Sequence, residues 1–417
     1  MHPNFFRFCK LCYLVFQVIP FVTNGQDIEI EKASLLEQKG RYANAWEIYD
    51  KKISSNFYEP NILPQAANCL KMMGLYEASA NLYNMASTSL EPFPDSLLYK
   101  YAEVLQQSDQ FNQAKICFLK LLNSNFKKQE VLLKVANCDS ALIWVSETAS
   151  VKVKNLSSIN TKYSEIGPVK YKNNLVFSGE REGTIISKKT NKWNTPFYDL
   201  FVAENINNTF TRPKNFSKAI NTRWHEGPAT FSAAFDTIYF SRNSENFKDN
   251  HLNLFSSVHQ GNTWMTPLHF MMNDSTSSFA HPCISPDGNL FFFSSDLPGG
   301  YGGIDIYVCI KSDSNWSLPV NLGEKINTSG NEIFPHYTSD GSLYFSSDNW
   351  PGMGGFDIYF SEQTTDGDWG TAKNLKYPVN SGADDFSFIP FPKWPFGIFS
   401  SNRVGGVGSD DLYLVEP

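Results

Sequence analysis

The sequence predicts a two-part chain, an N-terminal all-α repeat solenoid followed by an all-β five-bladed propeller that an N-terminal strand closes. A helical pattern recurs with a period near 34 residues up to residue 146, and a strand-rich pattern recurs every 52 to 54 residues from residue 150 onward. Repeats of these periods are typical of helical solenoids and of propeller blades. We therefore divide the chain into residues 1–25, 27–146 and 150–417.

The first 25 residues have the composition of a signal peptide. Arg7 and Lys10 precede an apolar run from Leu11 to Val22, which is shorter than the roughly 18 apolar residues of a membrane-spanning helix. Cleavage near Gly25 would leave an exported chain. No later segment has an apolar run of the length that a membrane span needs, so the sequence predicts an exported protein without a span.

Composition and motifs exclude several classes of function. With 35 Lys and Arg against 42 Asp and Glu, the net charge is −7, which argues against a nucleic-acid surface. The five cysteines beyond residue 25 are irregularly spaced, so they are interpreted as small buried apolar side chains and not as a disulfide scaffold. No GxSxG, HExxH or EF-hand motif is present, and we expect no cofactor, no metal and no enzymatic activity.

The helical pattern is marked by a turn that recurs at 34 and 35 residues, followed each time by a small residue and an aromatic residue. The turns are Gly40-Arg41-Tyr42, Gly74-Leu75-Tyr76 and Asp109-Gln110-Phe111. An alanine stands seven residues before each turn, at Ala33, Ala67 and Ala102. These residues resemble the tetratricopeptide repeat, a 34-residue helix pair. We count three repeats and a closing helix, Glu130 to Ser146.

The resemblance implies a concave groove that binds peptides. The polar residues expected on the groove side are Asn61, Asn68, Lys71, Ser96, Glu103, Gln106 and Asn137. The alternative for each of them is an ordinary solvated helix face. A subtype of this family binds a C-terminal carboxylate through fixed polar positions, two of which are Ile30 and Ser34 here, so that mode of binding is not expected.

The strand-rich part predicts five four-stranded blades. Asp287-Gly288 and Asp340-Gly341 are hairpin turns between alternating strands. One aromatic strand position recurs at spacings of 54, 52, 52 and 54, in Phe201, Phe255, Tyr307, Tyr359 and Tyr413. The last unit has three strands, and Val151 to Thr161 resembles the fourth-strand segment after Trp316. We therefore expect residues near 151–156 to complete the last blade and so remove the sheet edge.

A glycine-rich stretch recurs in three blades, as SSDLPGGYGGIDIY, SSDNWPGMGGFDIY and SSNRVGGVGSDDLY. A phosphate-binding loop follows a strand and opens a helix, whereas these glycines lie between two strands. They are interpreted as turn residues. The aspartates that follow are predicted to accept hydrogen bonds from the turn amides: Asp305, Asp357 and Asp411, with Asp199 at the matching place in the first blade.

An acid precedes the innermost strand in four of the five blades, at Glu165, Glu226, Glu332 and Asp385, with Asp384 beside the last. In the third blade Phe279-Ala280 replaces it. Our hypothesis is that these carboxylates gather around one mouth of the propeller channel, where they would bind a cation, an amine or a basic peptide. The alternative is that each acid caps a local turn.

A signal peptide, tetratricopeptide-like helices and blades with SDG-LYFSS and GG-x-DIY motifs resemble one family of periplasmic proteins of Bacteroidota. In these PorE-like proteins, PD40-type blades, which are WD40-like and TolB-like, are joined to a C-terminal OmpA-like domain. The resemblance implies a periplasmic scaffold near the outer membrane, with envelope or secretion-machinery proteins as partners, outer-membrane proteins among them. The sequence ends at Pro417 without an OmpA-like domain, so peptidoglycan binding is not expected.

Three functions follow from these observations. The first is a non-enzymatic scaffold of the cell envelope, associated with type IX secretion, gliding or another envelope assembly. The second is a propeller that binds a glycan or a cation, for which exposed tryptophans such as Trp350 and the acidic mouth would serve. The third is an enzyme, which we disfavour because the chain has no residues left to build a separate hydrolase domain.

Overall fold

A computed structural model describes residues 26–55, 58–147, 150–181, 197–206, 209–243, 251–270, 276–313, 315–391 and 397–417. The predicted signal peptide, residues 1–25, lies outside the described residues. The described part contains seven helices followed by five β-sheets arranged as propeller blades. None of these helices is long and apolar enough to cross a membrane.

The helices follow one another through short turns, and each packs against the next. They are α1 (Gln26–Gln38), α2 (Tyr42–Ser54), α3 (Ile62–Met72), α4 (Tyr76–Ser89), α5 (Asp95–Gln107), α6 (Phe111–Leu122) and α7 (Lys128–Ser146). The small residues at repeated positions have no exposed surface, as at Ala33, Ala67 and Ala102. A side chain no larger than a methyl group lets neighbouring helices approach closely, which explains why alanine recurs there.

The strands lie between residues 152 and 416. They are β1 (Lys152–Asn155), β2 (Glu165–Tyr171), β3 (Asn174–Glu180), β4 (Tyr198–Ala203), β5 (Asn205–Ile206), β6 (Thr209–Phe210), β7 (Lys214–Asn215), β8 (Glu226–Phe231), β9 (Thr237–Asn243), β10 (Leu252–Gln260), β11 (Thr263–Trp264), β12 (Leu268–His269), β13 (Phe279–Ile284), β14 (Leu290–Ser295), β15 (Asp305–Ser312), β16 (Asn315–Trp316), β17 (Val320–Asn321), β18 (Glu332–Tyr337), β19 (Ser342–Ser347), β20 (Asp357–Glu362), β21 (Lys373–Asn374), β22 (Asp385–Pro390), β23 (Gly397–Ser401) and β24 (Asp411–Glu416).

Each blade is an antiparallel sheet, and in the first four blades the strands run outward in chain order. The first blade is β2-β3-β4-β7 and the fourth is β18-β19-β20-β21. In the second and third blades, two short strands pair with the long third strand, β11 and β12 with β10, and β16 and β17 with β15. The fifth sheet is β22-β23-β24-β1, in which β1 pairs with β24 from Lys152 opposite Glu416 to Asn155 opposite Tyr413. The last blade therefore takes its outer strand from the segment that follows the helices.

The blades share one packing unit, an aromatic ring on the second strand stacked against one on the third. The five pairs are Phe177–Phe201, Phe240–Phe255, Phe293–Tyr307, Phe345–Tyr359 and Phe399–Tyr413, with ring centroids 5.7–6.1 Å apart. The third-strand members are the residues that recur at spacings of 52 to 54 in the sequence. Aromatic pairs of this offset geometry add to the stability that their burial gives, so the recurring position is a core position.

The innermost strand of every blade contains a bulge at the same place. The register shifts there in all five sheets. One residue of each bulge has a positive φ: Gly167, Gly227, His281, Phe334 and Ser387. A bulge turns the strand and re-aims its side chains, and residues of all five bulges line the central channel.

Candidate functional site

The aspartates after the glycine-rich turns hold those turns in place. Asp305 accepts hydrogen bonds from the amides of Tyr301 at 2.5 Å and Gly302 at 3.1 Å. Asp357 accepts from Met353 at 2.6 Å and Gly354 at 3.3 Å. These bonds give the two aspartates the turn-holding role predicted from the sequence.

Asp411 has the same arrangement in the fifth blade. It accepts hydrogen bonds from the amides of Val407 and Gly408, the latter at 3.1 Å. Asp199, at the matching place in the first blade, is 4% exposed. The three Gly-turn aspartates and Asp199 are therefore all buried in their blades.

The four acids are each the first residue of the innermost strand of their blade, and they are fully buried, with no exposed surface. Each accepts hydrogen bonds from the residue four positions earlier. Glu332 accepts from the amide of Thr328 at 2.8 Å and from its hydroxyl at 2.6 Å, and Asp385 accepts from the amide of Ser381 at 2.6 Å and from its hydroxyl at 2.8 Å.

Glu165 and Glu226 are held in the same way, by Thr161 and Thr222. Burial raises the pKa of Glu165 to about 7 and that of Glu226 to about 8, although the threonine hydrogen bonds and nearby arginines lower both values. The carboxylates of all four acids are thus used within turns. They do not form an accessible carboxylate ring, which corrects the hypothesis of an acidic channel mouth.

An arginine completes three of these four turns. Arg181 pairs with Glu165 at 3.3 Å, Arg242 with Glu226 at 3.1 Å and Arg403 with Asp385 at 2.5 Å. Each guanidinium also donates to a backbone carbonyl of the loop before the acid, at Ile159, Ile220 and Val379. Each lies about 5 Å from the rings of its blade's stacked aromatic pair. The acid, the loop and the aromatic pair are therefore joined by one side chain.

An asparagine before each threonine or serine binds the third strand of the preceding blade. Asn327 donates to the carbonyl of Ile306 at 3.0 Å and accepts from its amide at 2.8 Å. Three further asparagines make the same two bonds, Asn160 with Leu412, Asn221 with Leu200 and Asn380 with Ile358. These asparagines were not predicted from the sequence. The recurring Ile-Asn-Thr or Val-Asn-Ser before each acid is the signal that identifies them.

The central channel is almost filled by the bulge residues. The cavity that they line has a free volume of about 40 Å³, enough for only a few water molecules. The His281 ring stacks on Phe334 at 3.9 Å, and Phe334 lies 5.3 Å from Phe386. Burial lowers the pKa of His281 to about 3 and that of His336 to about 4, so both imidazoles are neutral at pH 7. A sugar does not fit in this channel.

Trp350 was expected to be exposed, but it is half-buried. Its indole nitrogen donates to the carbonyl of Ile326 at 2.9 Å. It packs at the fourth blade, where Glu332 has a Ser347 hydroxyl at 2.6 Å as its neighbour and not an arginine. Trp350 is therefore part of a joint between blades, and the expectation of a free tryptophan for glycan stacking was wrong for this residue.

The helical region is docked on the fourth and fifth blades. Gln106 of α5 donates to the carbonyl of Met353 at 2.8 Å, and the amide of Gly352 donates to Asn137 of α7 at 3.1 Å. The amide of Gly382 donates to Asp109 at 2.7 Å. These bonds join residues more than 200 positions apart in the chain.

Apolar contacts accompany these hydrogen bonds. Met353, at the tip of the glycine-rich turn of the fourth blade, is fully buried in a cluster with Phe111 and Ala141. Ala383, just before the fifth blade, is buried in the core of the helices. The Lys376 ammonium lies 5.8 Å from the Trp144 ring. The helices and the propeller therefore share a core, with buried polar groups that fix its register.

The residues predicted to line a helical groove make different contacts in the structure. Gln106 and Asn137 bind the propeller, as above. Asn68 donates to Glu37 at 2.6 Å, and Lys71 pairs with Glu103 at 2.9 Å. Asn61 and Ser96 precede or begin helices, and Asn61 is exposed. The predicted groove face is thus partly covered by the protein's own fourth blade.

The outer strands of the first and fourth blades carry equivalent ion pairs. Lys214 faces Val202 in the strand register, and its ammonium lies 3.0 Å from Glu204. Lys373 faces Phe360, and its ammonium lies 2.9 Å from Glu362. In the fifth blade the corresponding residues are Lys154 and Glu416. Three blades therefore present a lysine and a glutamate at this position.

The second and third blades carry apolar residues at the same positions. Leu268 faces Ser256 with Val258 two residues further on, and Val320 faces Val308 with Ile310 two residues further on. We call Val258, Leu268, Ile310 and Val320 the blade 2–3 patch, and their exposed fractions are 44%, 70%, 51% and 53%. They were not predicted from the sequence, although an alignment of TPLHF and LPVNL with RPKNF and TAKNL shows the difference.

Comparisons with known proteins concern the fold. No protein-family model and no curated protein matches the chain. Among solved structures, a putative TolB from Agrobacterium tumefaciens is 15% identical with a TM-score of 0.31, over 58% of this chain and 70% of that chain. An endo-arabinase from Bacteroides thetaiotaomicron is 11% identical with a TM-score of 0.38, over 64% of this chain and 97% of that chain. A Trypanosoma rangeli sialidase is 10% identical with a TM-score of 0.36, over 65% and 60% of the two chains.

These likenesses are of fold alone, because the identities are low. The sheets themselves define the class of protein, a five-bladed propeller preceded by a docked helical region. The functions named for these three structures belong to those proteins.

Proposed function

We propose that the protein is an exported, non-enzymatic scaffold of the cell envelope whose propeller binds another protein through the blade 2–3 patch. The observation that carries this proposal is the replacement of Lys–Glu pairs by four exposed apolar side chains on two adjacent blades. Exposed apolar residues at equivalent positions of neighbouring blades are the kind of surface that binds another protein. A single exposed leucine is ordinary on a protein surface. Here the equivalent positions of two neighbouring blades are all apolar, whereas the other three blades have lysine and glutamate there.

The buried acids and histidines support a function without catalysis. The four acids are used in turns, and the channel histidines are neutral and have little free space beside them. A catalytic acid or base needs a solvent- or substrate-facing position within hydrogen-bond reach of the reacting group. The arrangement of these residues favours a structural role for each of them.

Location and partners belong to the same proposal. The apolar run after Arg7 and Lys10 supports export, and the resemblance in module order supports a periplasmic position near the outer membrane. Partners would then be envelope or secretion-machinery proteins, outer-membrane proteins among them, and association with type IX secretion or gliding is the specific form of the proposal.

The test is site-specific cross-linking of the full chain in its native envelope. A photo-reactive amino acid replaces Leu318, which is 71% exposed and lies beside the patch. The matched control replaces Thr371, the equivalent exposed position of the fourth blade. We expect a defined protein adduct from position 318 and none of the same size from position 371.

A second variant gives the patch the surface of the first and fourth blades, through Val258→Glu, Leu268→Lys, Ile310→Glu and Val320→Lys. Because these residues are exposed, we expect an unchanged melting temperature and the loss of the adduct. The proposal fails if no protein is captured above background, or if the charged variant captures the same proteins as the native chain.

The alternative, a glycan-binding propeller, has one observation in its favour. A cavity of about 500 Å³ lies at the edge of the first blade, lined by Phe210, Phe391, Asn174 and Lys170 among others. Its size and its aromatic and amide side chains suit a sugar. A saturable rise in melting temperature with cell-wall sugars, abolished by Phe210→Ala, would support this function over the scaffold.

A further inference from the structure

A cleft of about 240 Å³ lies where the helices meet the propeller. We call it the joint cleft. Lys71, Gly74 and Tyr76 line it from the turn between α3 and α4, and Asp384, Asn402 and Asp410 line it from the fifth blade. Because both modules contribute walls, the cleft exists only while they are docked.

The joint cleft has an excess of negative charge. Asp384 accepts hydrogen bonds from the amide of Phe356 at 2.9 Å and from the Asn402 side chain at 2.8 Å. Asp410 accepts one from the Ser164 hydroxyl at 2.7 Å. Within the described part of the chain, neither carboxylate forms a salt bridge. The nearby lysine, Lys71, is already paired with Glu103 at 2.9 Å.

A second observation points to a ligand. Tyr76 is 96% buried, since its exposed fraction is 4%, and it lines the same cleft. Its hydroxyl forms no hydrogen bond with any residue that the structure describes. Burial raises its pKa, and the charges of Asp384 and Asp410 raise it further, so the hydroxyl lies within their field. A hydroxyl without a protein partner keeps its acceptor lone pairs free, and a guest with donors would use them.

We propose that the joint cleft receives one arginine side chain of a partner polypeptide. This inference rests on the proposed scaffold function and adds a second, specific contact to it. A guanidinium has five donors in a planar fork, which suits two carboxylates on separate loops and a hydroxyl opposite them. The cleft is smaller than the roughly 300 Å³ at which small-molecule pockets begin, so it holds a side chain and not a whole peptide.

The rim of the cleft favours an arginine carried on a chain over a free cation. Met72, a lining residue, is 52% exposed, and Leu75 beside Gly74 is 47% exposed. On the propeller side, Val407 is 50% exposed and lies two residues before Ser409, another lining residue. Apolar residues that flank the arginine would pack against these exposed side chains.

The test uses a blocked tripeptide, acetyl-Leu-Arg-Leu-amide, titrated against the full mature chain by ligand-observed nuclear magnetic resonance. The comparison peptide contains citrulline, which has the shape of arginine and no charge. We expect saturable binding of the arginine peptide, with a Kd on the order of 1 mM, and binding of the citrulline peptide weaker by about tenfold. Asp410→Asn should lower the affinity for the arginine peptide by about tenfold, and Tyr76→Phe should lower it by about threefold.

The control variant is Asp366→Asn, which removes an exposed charge at a hairpin tip of the fourth blade that does not line the cleft, and it should bind as the native chain does. Tyr76→Phe tests the site even if Asp410→Asn were to misfold, which a melting curve would reveal. Equal affinity for the two peptides, no saturable binding, or native affinity in both folded variants would overturn the inference. If position 318 still cross-links to a partner while the arginine peptide fails, only the joint cleft proposal falls.

Discussion

The backbone amide of Gly382 donates a hydrogen bond to the Asp109 carboxylate at 2.7 Å, and this bond ties the helices to the fifth blade. A Cβ at position 382 would lie 1.9 Å from the carbonyl oxygen of Gln106. Only glycine lets the two backbones approach this closely. The docked arrangement of the two modules therefore depends on the lack of a side chain at one position.

Gly382→Ala should loosen the docking of the helices on the propeller. The methyl group must displace the backbone at Gln106, and overpacking of this kind typically costs about 1–3 kcal/mol. Hydrogen exchange should become faster at the amides of Gly352 and Gly382, with a lower melting temperature. Gly370→Ala is the matched control, because its Cβ would meet the nearest atom at 3.2 Å. Unchanged exchange at Gly352 in Gly382→Ala would contradict the role of this contact.

Asn137→Ala should have a similar effect through the fourth blade. The substitution leaves the amide of Gly352 without its acceptor, and an unsatisfied buried amide costs about 1–3 kcal/mol. Asn61→Ala is the control, since both asparagines belong to the predicted groove set and Asn61 is exposed. Urea denaturation should show a loss of free energy of unfolding in Asn137→Ala only. Equal stability of the two variants would show that the Asn137 contact does not hold the modules together.

The repeating parts of the fold could be predicted from sequence because they depend on contacts within one repeat. Tyr359 recurs at a fixed spacing since every blade needs a ring to stack on its second strand. The burial of Glu332 could not be decided in the same way, because it depends on Thr328 and on the neighbouring blade. The hydrogen bond between Gln106 and Met353 joins residues 247 positions apart, and no pattern in the local sequence predicts such a contact.

Arg242→Gln should destabilise the propeller strongly. At pH 9, above the pKa of about 8 that burial gives Glu226, the substitution leaves a buried carboxylate without its cation, and breaking a buried ion pair by removing one partner costs about 3–5 kcal/mol. The double variant Glu226→Gln with Arg242→Gln should lose less free energy of unfolding than the sum of the two single variants. The reason is that the double variant buries no unpaired charge. Arg212→Gln, at an exposed position of the first blade, is the control in urea denaturation. Additive losses in the double variant would argue against a coupled pair.

Asp410 should make stability depend on pH. Burial raises its pKa from the ordinary 3.8 to about 6, and the charges of Asp384 and Asp411 contribute to this. The folded state therefore binds the proton of Asp410 more tightly than the unfolded state does, and protonation stabilises the fold. This stabilisation is fully present below pH 3.8 and is lost as the pH rises through 6. The rise in pKa corresponds to a contribution of at most about 3 kcal/mol to the free energy of unfolding.

Asp410→Asn should therefore remove a fall in the free energy of unfolding between pH 4 and pH 6, measured by urea denaturation at each pH. Asp366→Asn should keep the native pH dependence. An unchanged slope in Asp410→Asn would show that Asp410 titrates as an exposed carboxylate. The same titration would weaken arginine binding below pH 6, because the protonated acid no longer attracts the guanidinium.

The cysteines should be unreactive in the folded protein. Cys69, Cys117, Cys138, Cys283 and Cys309 are free and buried. Burial raises the pKa of Cys69, Cys138 and Cys283 to about 12. The thiolate is the reactive form, so at pH 8 about one such thiol in ten thousand is reactive even before access is considered. Ellman's reagent should react with these cysteines only after denaturation, and a reductant should not change the melting temperature of the mature chain. A fast reaction in the native state would show that one of these side chains opens to solvent or is not buried.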